Sequence, residues 1–122
     1  MIDGDEKGAL IMTPQFVYMT AGSLEEALRI GELLVADRLA ACVNIIDGMH
    51  SIYRWEGKLQ KDRETVMIAK TTRERLPALM EAVKANHGYD CPCIVSFDID
   101  GGNPEFLEWI GTEVAPDLSA PE

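Results

Sequence analysis

No lysine or arginine follows Lys84, although eight acidic residues do. All eleven basic side chains lie at or before that position, and the chain of 122 residues carries a net charge of −10. An acidic chain without a basic patch is a poor match for a phosphate backbone, so no nucleic-acid partner is expected. No apolar run approaches the ~20 residues that a membrane span requires, so no membrane partner is expected either. Cysteine is scarce and odd in number: Cys42, Cys91 and Cys93 cannot all close into disulfides. Free thiols, with a start ("MIDGDEKGAL") that leads into no apolar signal segment, point to a cytoplasmic protein. Also missing are a Gly-x-Ser-x-Gly elbow, a phosphate-cradling glycine loop and a zinc-type cysteine pairing, so no enzymatic activity is expected.

The length suits one domain with its own core, and 47 % of the residues are apolar. Residues 1–14 lack periodicity and read as a flexible extension; the folded domain spans 15–114, and 115–122 form a flexible acidic tail. "QFVYMT" is aromatic and β-branched, a strand. "SLEEALRIGELLVADRLA" opens on a Ser23/Glu26 capping box and carries a helical stripe of Leu24, Ala27, Leu28, Gly31, Leu34, Val35 and Leu39. "ACVNIIDGMHSIYRWEGKLQ" and "RETVMIAKTT" read as two long strands joined in a hairpin with its tip near "WEGK". "RERLPALMEAVKANHG" is a second helix, with Pro77 in its first turn, Leu76, Leu79, Met80 and Val83 inward, and His87 at its end. "CIVSFDID" alternates as a half-exposed strand, and Asn103-Pro104 opens a short third helix. The order β-α-β-β-α-β with a short C-terminal helix defines an α+β, ferredoxin-like fold with a long central hairpin.

The segments "LAACVNII", "SIYRWEGKLQ", "MIAKTT", "HGYDCP" and "GGNPEFLEWI" follow one another between Phe16 and about Val114. In that order and spacing they closely resemble the CutA family of divalent-cation tolerance proteins, which are PII-like in architecture. The resemblance implies a homotrimer whose hairpins cross between subunits, and a role in metal-ion tolerance through binding copper or another divalent ion. The alternative it implies is a PII-like signalling or scaffold trimer that takes a small ligand or partner protein at the intersubunit cleft. The family's copper-ligand positions fall on Met19, Asn86 and His87, where a thioether and an amide replace a thiolate and an imidazole. A thioether still suits Cu(I), whereas an amide does not. The resemblance thus puts the metal donors at His87, Met19 and Cys93, and the ligand cleft at Trp55, Lys70, His87 and Tyr89. Cys93 stands where the family usually has glutamate, Gly88 where proline is usual, and Asp90 where glutamate or glutamine is common.

The stretch "NHGYDCPC" has its own physical reading as a helix stop followed by strand entry. Two strand residues advance ~6.6 Å, whereas two sulfurs sharing one metal ion lie no more than ~4.6 Å apart. That spacing argues against an intrachain chelate by Cys91 and Cys93 and favours buried or half-buried thiols. Cys42 is expected in the core. His87 is either a helix-end imidazole at the negative dipole end or a metal donor. Trp55, on a hairpin tip, packs into a neighbouring subunit or stacks on a ligand.

Overall fold

The computed structural model describes residues 12–116. Its elements are β1 (Pro14–Ala21), α1 (Leu24–Ala36), β2 (Cys42–Trp55), β3 (Lys58–Thr72), α2 (Leu76–Asn86), β4 (Ile94–Asp98) and α3 (Pro104–Val114). The four strands form one sheet in the order β2-β3-β1-β4, every neighbour antiparallel. This is the ferredoxin-like α+β arrangement that the element order predicts. Pro14, which patterning leaves in the extension, is the first residue of β1, opposite Thr72. Residues 1–11 and 117–122, the rest of the expected extension and tail, lie outside the described residues.

Alternation along the strands sorts the sheet into two faces. Val17, Met19 and Ala21 of β1 and Met67 and Ala69 of β3 point to one face, where Ala27, Ile30 and Leu34 of α1 and Leu79 and Val83 of α2 close the core. The other face carries Phe16, Tyr18, Ile46, Ile68, Val95 and Phe97; among the described helices only α3 meets it, at the Ile99 end, leaving Ile46 57 % and Phe97 56 % exposed. Cys42 falls on this open face opposite Lys70, half-buried, and not in the core as expected, because its strand parity is that of Asn44 and Ile46.

Two helical expectations shift. The α1 stripe is rotated: Ile30 is buried, while Leu24, Leu28 and Val35 are exposed. The helix also ends at Ala36 instead of running to Ala40. Arg38 takes a left-handed φ of 59°, and the Leu39 and Ala40 amides both turn back to donate to the Leu34 carbonyl. The Arg38 guanidinium then donates to the carbonyls of Glu113 and Thr112, placing a cation at the negative end of α3. Elsewhere the capping is as read: Asn103 accepts from Glu105 N–H at 3.1 Å. Strand β4 ends at Asp98, short of its alternating pattern; the next amide, of Ile99, still donates to the Pro14 carbonyl (3.0 Å) while its side chain packs with Ile110 and Val114 of α3.

The hairpin turns on two residues, Glu56 and Gly57, both with positive φ (51° and 78°), the geometry that matches strand twist. Lower down, β2 holds a bulge between Ile46 and Met49. Gly48 sits there at φ 85°, and Asp47 Oδ1 accepts from the Gly48 amide (2.8 Å) and the Thr65 hydroxyl (3.0 Å). One extra residue reverses the side-chain parity of everything beyond it. Before the bulge even-numbered β2 residues face the open side; after it Met49 does, directly opposite Glu64.

Candidate functional site

A cleft of about 660 Å³ opens at the foot of the hairpin. Tyr18 and Thr20 of β1 form its floor, Met49 to Tyr53 and Trp55 of β2 one wall, and Glu64 of β3 its end. The loop between α2 and β4 supplies Tyr89, Asp90, Cys91 and Cys93 as the other wall. Among the described residues no lysine or arginine lines it, so Glu64 and Asp90 leave it electronegative.

The loop is held by two contacts to the body of the fold. Glu26, the third residue of α1, accepts from the Gly22 amide (3.0 Å) with one carboxylate oxygen and from the Gly88 amide (2.6 Å) with the other. Ser23 completes the cap by accepting from Glu26 N–H at 3.1 Å. Burial pushes the Glu26 carboxyl up, but its two amide donors and the nearby His87 and Arg29 outweigh that and hold it below the ordinary value. At Gly88 a side chain would meet Glu26 Oε2 at 3.0 Å, so glycine lets the carboxylate reach the loop. His87 is the second contact. Its Nε2 lies 2.7 Å from the Thr20 carbonyl and its Nδ1 accepts from Tyr89 N–H at 3.0 Å, which makes Nε2 the protonated nitrogen. The rings of His87 and Tyr89 pack at 4.7 Å.

Hydrogen bonding ties the floor to the walls. Tyr89 Oη donates to Glu64 at 2.8 Å, and burial together with that carboxylate raises the phenol well above its ordinary value. Tyr18 Oη donates to the Met49 sulfur at 3.4 Å; burial, then the charges of Cys93 and Glu64, raise this phenol too. Partial burial and Glu64 likewise raise the Cys93 thiol. Cys91 and Cys93 are exposed to solvent, contrary to the buried or half-buried reading, because β4 begins only at Ile94 and leaves both on the loop.

The residues singled out from the sequence do not all meet here. Trp55, Tyr89 and Cys93 line the cleft. Met19 does not: it has the parity of Val17 and Ala21 and is 0 % exposed in the core beneath the sheet. His87 stands behind the loop with both ring nitrogens engaged, so ligating a metal there requires breaking one of those bonds. Lys70 lies on the open face but six strand residues from Glu64, ~20 Å along β3, where it donates to Asn44. Asn86 caps back onto the Ala82 carbonyl at 2.7 Å. Met49, His50, Glu64 and Cys91 were missed as cleft residues. The Asp47-Gly48 pair within a strand pattern was the available signal, since it marks the bulge that turns Met49 inward. Among the described residues no three His, Cys, Asp or Glu side chains group around one point. A second groove of about 630 Å³, beside α3, is lined by Met12, Pro14, Ile99, Asp100, Leu107 and Glu108; among the described residues it holds no thiol or imidazole.

A half-covered antiparallel sheet, an overlong hairpin and a cleft at its foot define a ferredoxin-like protein of the hairpin-extended kind. Residues 15–113 match the family described as CutA1 divalent ion tolerance protein. The chain belongs to that family. It is 47 % identical over 94 residues to Protein CutA 1, chloroplastic, of Oryza sativa subsp. japonica, covering 77 % of this chain and 53 % of that one. To the divalent-cation tolerance protein CutA of Thermus thermophilus it is 47 % identical over 96 residues, covering 79 % and 93 %. The chain thus spans about half the length of the plant relatives it matches. Among solved structures, the periplasmic divalent cation tolerance protein CutA of Archaeoglobus fulgidus superposes with a TM-score of 0.80 at 46 % identity, covering 83 % of this chain and 98 % of that one.

Proposed function

We propose that this chain binds copper or another metal ion in a metal-tolerance role, as a cytoplasmic homotrimer, and that it binds its ion without catalysing a reaction on it. The observation that carries the reading is the cleft at the hairpin foot, where thiols, a thioether, an imidazole and two carboxylates line one electronegative space. The family supports the tolerance role. Trimer formation is supported by the bare apolar sheet face and by a hairpin whose Ile52 (68 %), Trp55 (54 %) and Leu59 (63 %) stand exposed on the single chain. A cyclic assembly would cover both. Free thiols on the surface support a reducing compartment.

The test is a titration of the full chain with Cu(I), Cu(II) and Zn(II), with solution mass measured on the same samples. We expect saturable binding of at least one ion and a mass close to three chains. A chain that binds none of them and stays monomeric at micromolar concentration rules the reading out. The PII-like alternative is favoured by one feature, the aromatic walls Tyr18, Tyr53, Trp55 and Tyr89, which suit a stacked organic ligand. Quenching of Trp55 fluorescence by such a ligand in metal-free protein would select it.

A further inference from the structure

We propose that Cys91 and Cys93 form a two-thiolate site for Cu(I) in the hairpin-foot cleft, with the Met49 thioether as third donor. The proposal deepens the metal-tolerance reading and rests on it. It assigns the ion to residues other than Met19 and His87, of which one is enclosed in the core and the other has both ring nitrogens engaged.

Geometry makes the thiols a pair. Cys91 and Cys93 line the same cleft, two positions apart across Pro92, on the bent loop that leads into β4. Strand geometry would set their α-carbons ~6.6 Å apart, against the ~4.6 Å that two sulfurs on one ion allow. The spacing between α-carbons overstates the obstacle, because each sulfur stands two bonds away from its α-carbon and swings with χ1. A lean of about 1 Å by each sulfur closes the gap. Neither residue is held in a strand ladder, since pairing of β4 starts at Ile94, and the fixed φ of Pro92 limits how far the two can splay.

Met49 is brought to the same place from a different element. The Asp47-Gly48 bulge turns it to the open face, and Tyr18 Oη holds its sulfur at 3.4 Å. Tyr18, Met49 and both thiols line the same cleft. Soft sulfur donors select Cu(I), which accepts two or three ligands. The alternative of a four-ligand zinc site lacks its ligands, because no three His, Cys, Asp or Glu side chains among the described residues group around a point. Glu64 and Asp90 add negative potential for a cation. On binding, each thiol loses its proton to solvent as a sulfur–copper bond forms. Copper enters and stays as Cu(I), so no electron is transferred.

The test is an anaerobic competition titration against a chromophoric Cu(I) chelator, with Cu(II) and Zn(II) titrated in parallel. It compares the full wild-type chain with Cys91→Ser/Cys93→Ser, Met49→Leu and Cys42→Ser. We expect one Cu(I) per chain, a loss of roughly 100-fold or more in the double variant, roughly 10-fold in Met49→Leu, and no change beyond about 2-fold in Cys42→Ser. X-ray absorption on the wild-type Cu(I) form should show sulfur-only ligation at ~2.3 Å, a readout that stands even where a variant fails to fold. Nitrogen or oxygen ligation, a double variant that keeps wild-type affinity, or an equal loss in Cys42→Ser overturns the site. Binding of Cu(II) or Zn(II) without Cu(I) also overturns the site but leaves the metal-tolerance reading standing. Binding of none overturns both.

Discussion

Glu26 shows how one side chain serves fold and cleft together. Its backbone amide satisfies the Ser23 cap, while its carboxylate bridges the end of β1 to the loop carrying Tyr89 and the two thiols. Folding lowers its carboxyl below the ordinary value, so the bridge contributes fully above the unfolded carboxylate range and is lost as pH falls through the folded value. Protection of the Gly22 and Gly88 amides against hydrogen exchange should therefore fall as pH drops below the ordinary carboxylate range, ahead of that of core amides. Glu26→Gln keeps the shape but surrenders one acceptor; we expect about 1 kcal/mol of lost stability, discounted for solvent access, and loss of the pH step. Asp98 is a second such group. Hydrogen bonds from Gln15 and Arg73 hold its carboxyl low, and its ion pair with Arg73 at 2.6 Å joins the acidic end of the chain to its basic middle.

Among the elements, the hairpin makes the most demands on backbone conformation. Its turn places Glu56 at a φ of 51°, where a side chain is uncommon, and the two-residue loop with Gly57 is what obliges it. The bulge matters more for the cleft. Gly48, at φ 85°, allows two β2 residues to oppose one in β3, and a side chain there would also approach Arg63 Nη2 at 3.2 Å. Gly48→Ala should cost about 1–2 kcal/mol. If the bulge flattens to escape the strain, Met49 turns away from Tyr18 and Glu64. Chemical unfolding measures the first effect, and loss of the 3.4 Å contact between Tyr18 and Met49 in a variant structure measures the second. An unchanged melting curve would show that the bulge does not depend on glycine.

At the scale of the whole molecule, the two faces of the sheet have opposite fates. One is filled by α1 and α2; on the other Val95, Phe97 and Ile46 stand open. In the proposed trimer this face and the exposed hairpin would be the surfaces that meet, so a charge there should act on assembly and leave the protomer folded. Phe97→Lys is predicted to lower the sedimenting mass toward that of one chain with far-ultraviolet circular dichroism unchanged. Trp55→Ala should weaken assembly by ~2 kcal/mol as a central aromatic anchor. Unaltered mass in both variants would mean that other surfaces hold the assembly.

Local physics was enough to read the elements of this protein. The Ser23 and Asn103 caps, Pro77 and Pro104 in first helical turns, the two-residue tip at Glu56-Gly57 and the period-two strands are all written within a few residues of where they act. The family-specific "YRWEGK" and its companions identified the family in the same local way. The cleft was only partly legible: of its lining, Trp55, Tyr89 and Cys93 were singled out from the sequence as site residues and Met49, Glu64 and Cys91 were not. Periodicity says which residues share a face but not which face becomes the core, so Met19 and Cys42 were each assigned to the wrong side. That choice belongs to the helices, which cover whichever parity Val17, Met67 and Ala69 share, and to one bulge that reverses it midway along β2. Side-chain parity is a local property, but which parity is buried, and which residues from distant strands meet across a cleft, is set only when the whole sheet has formed.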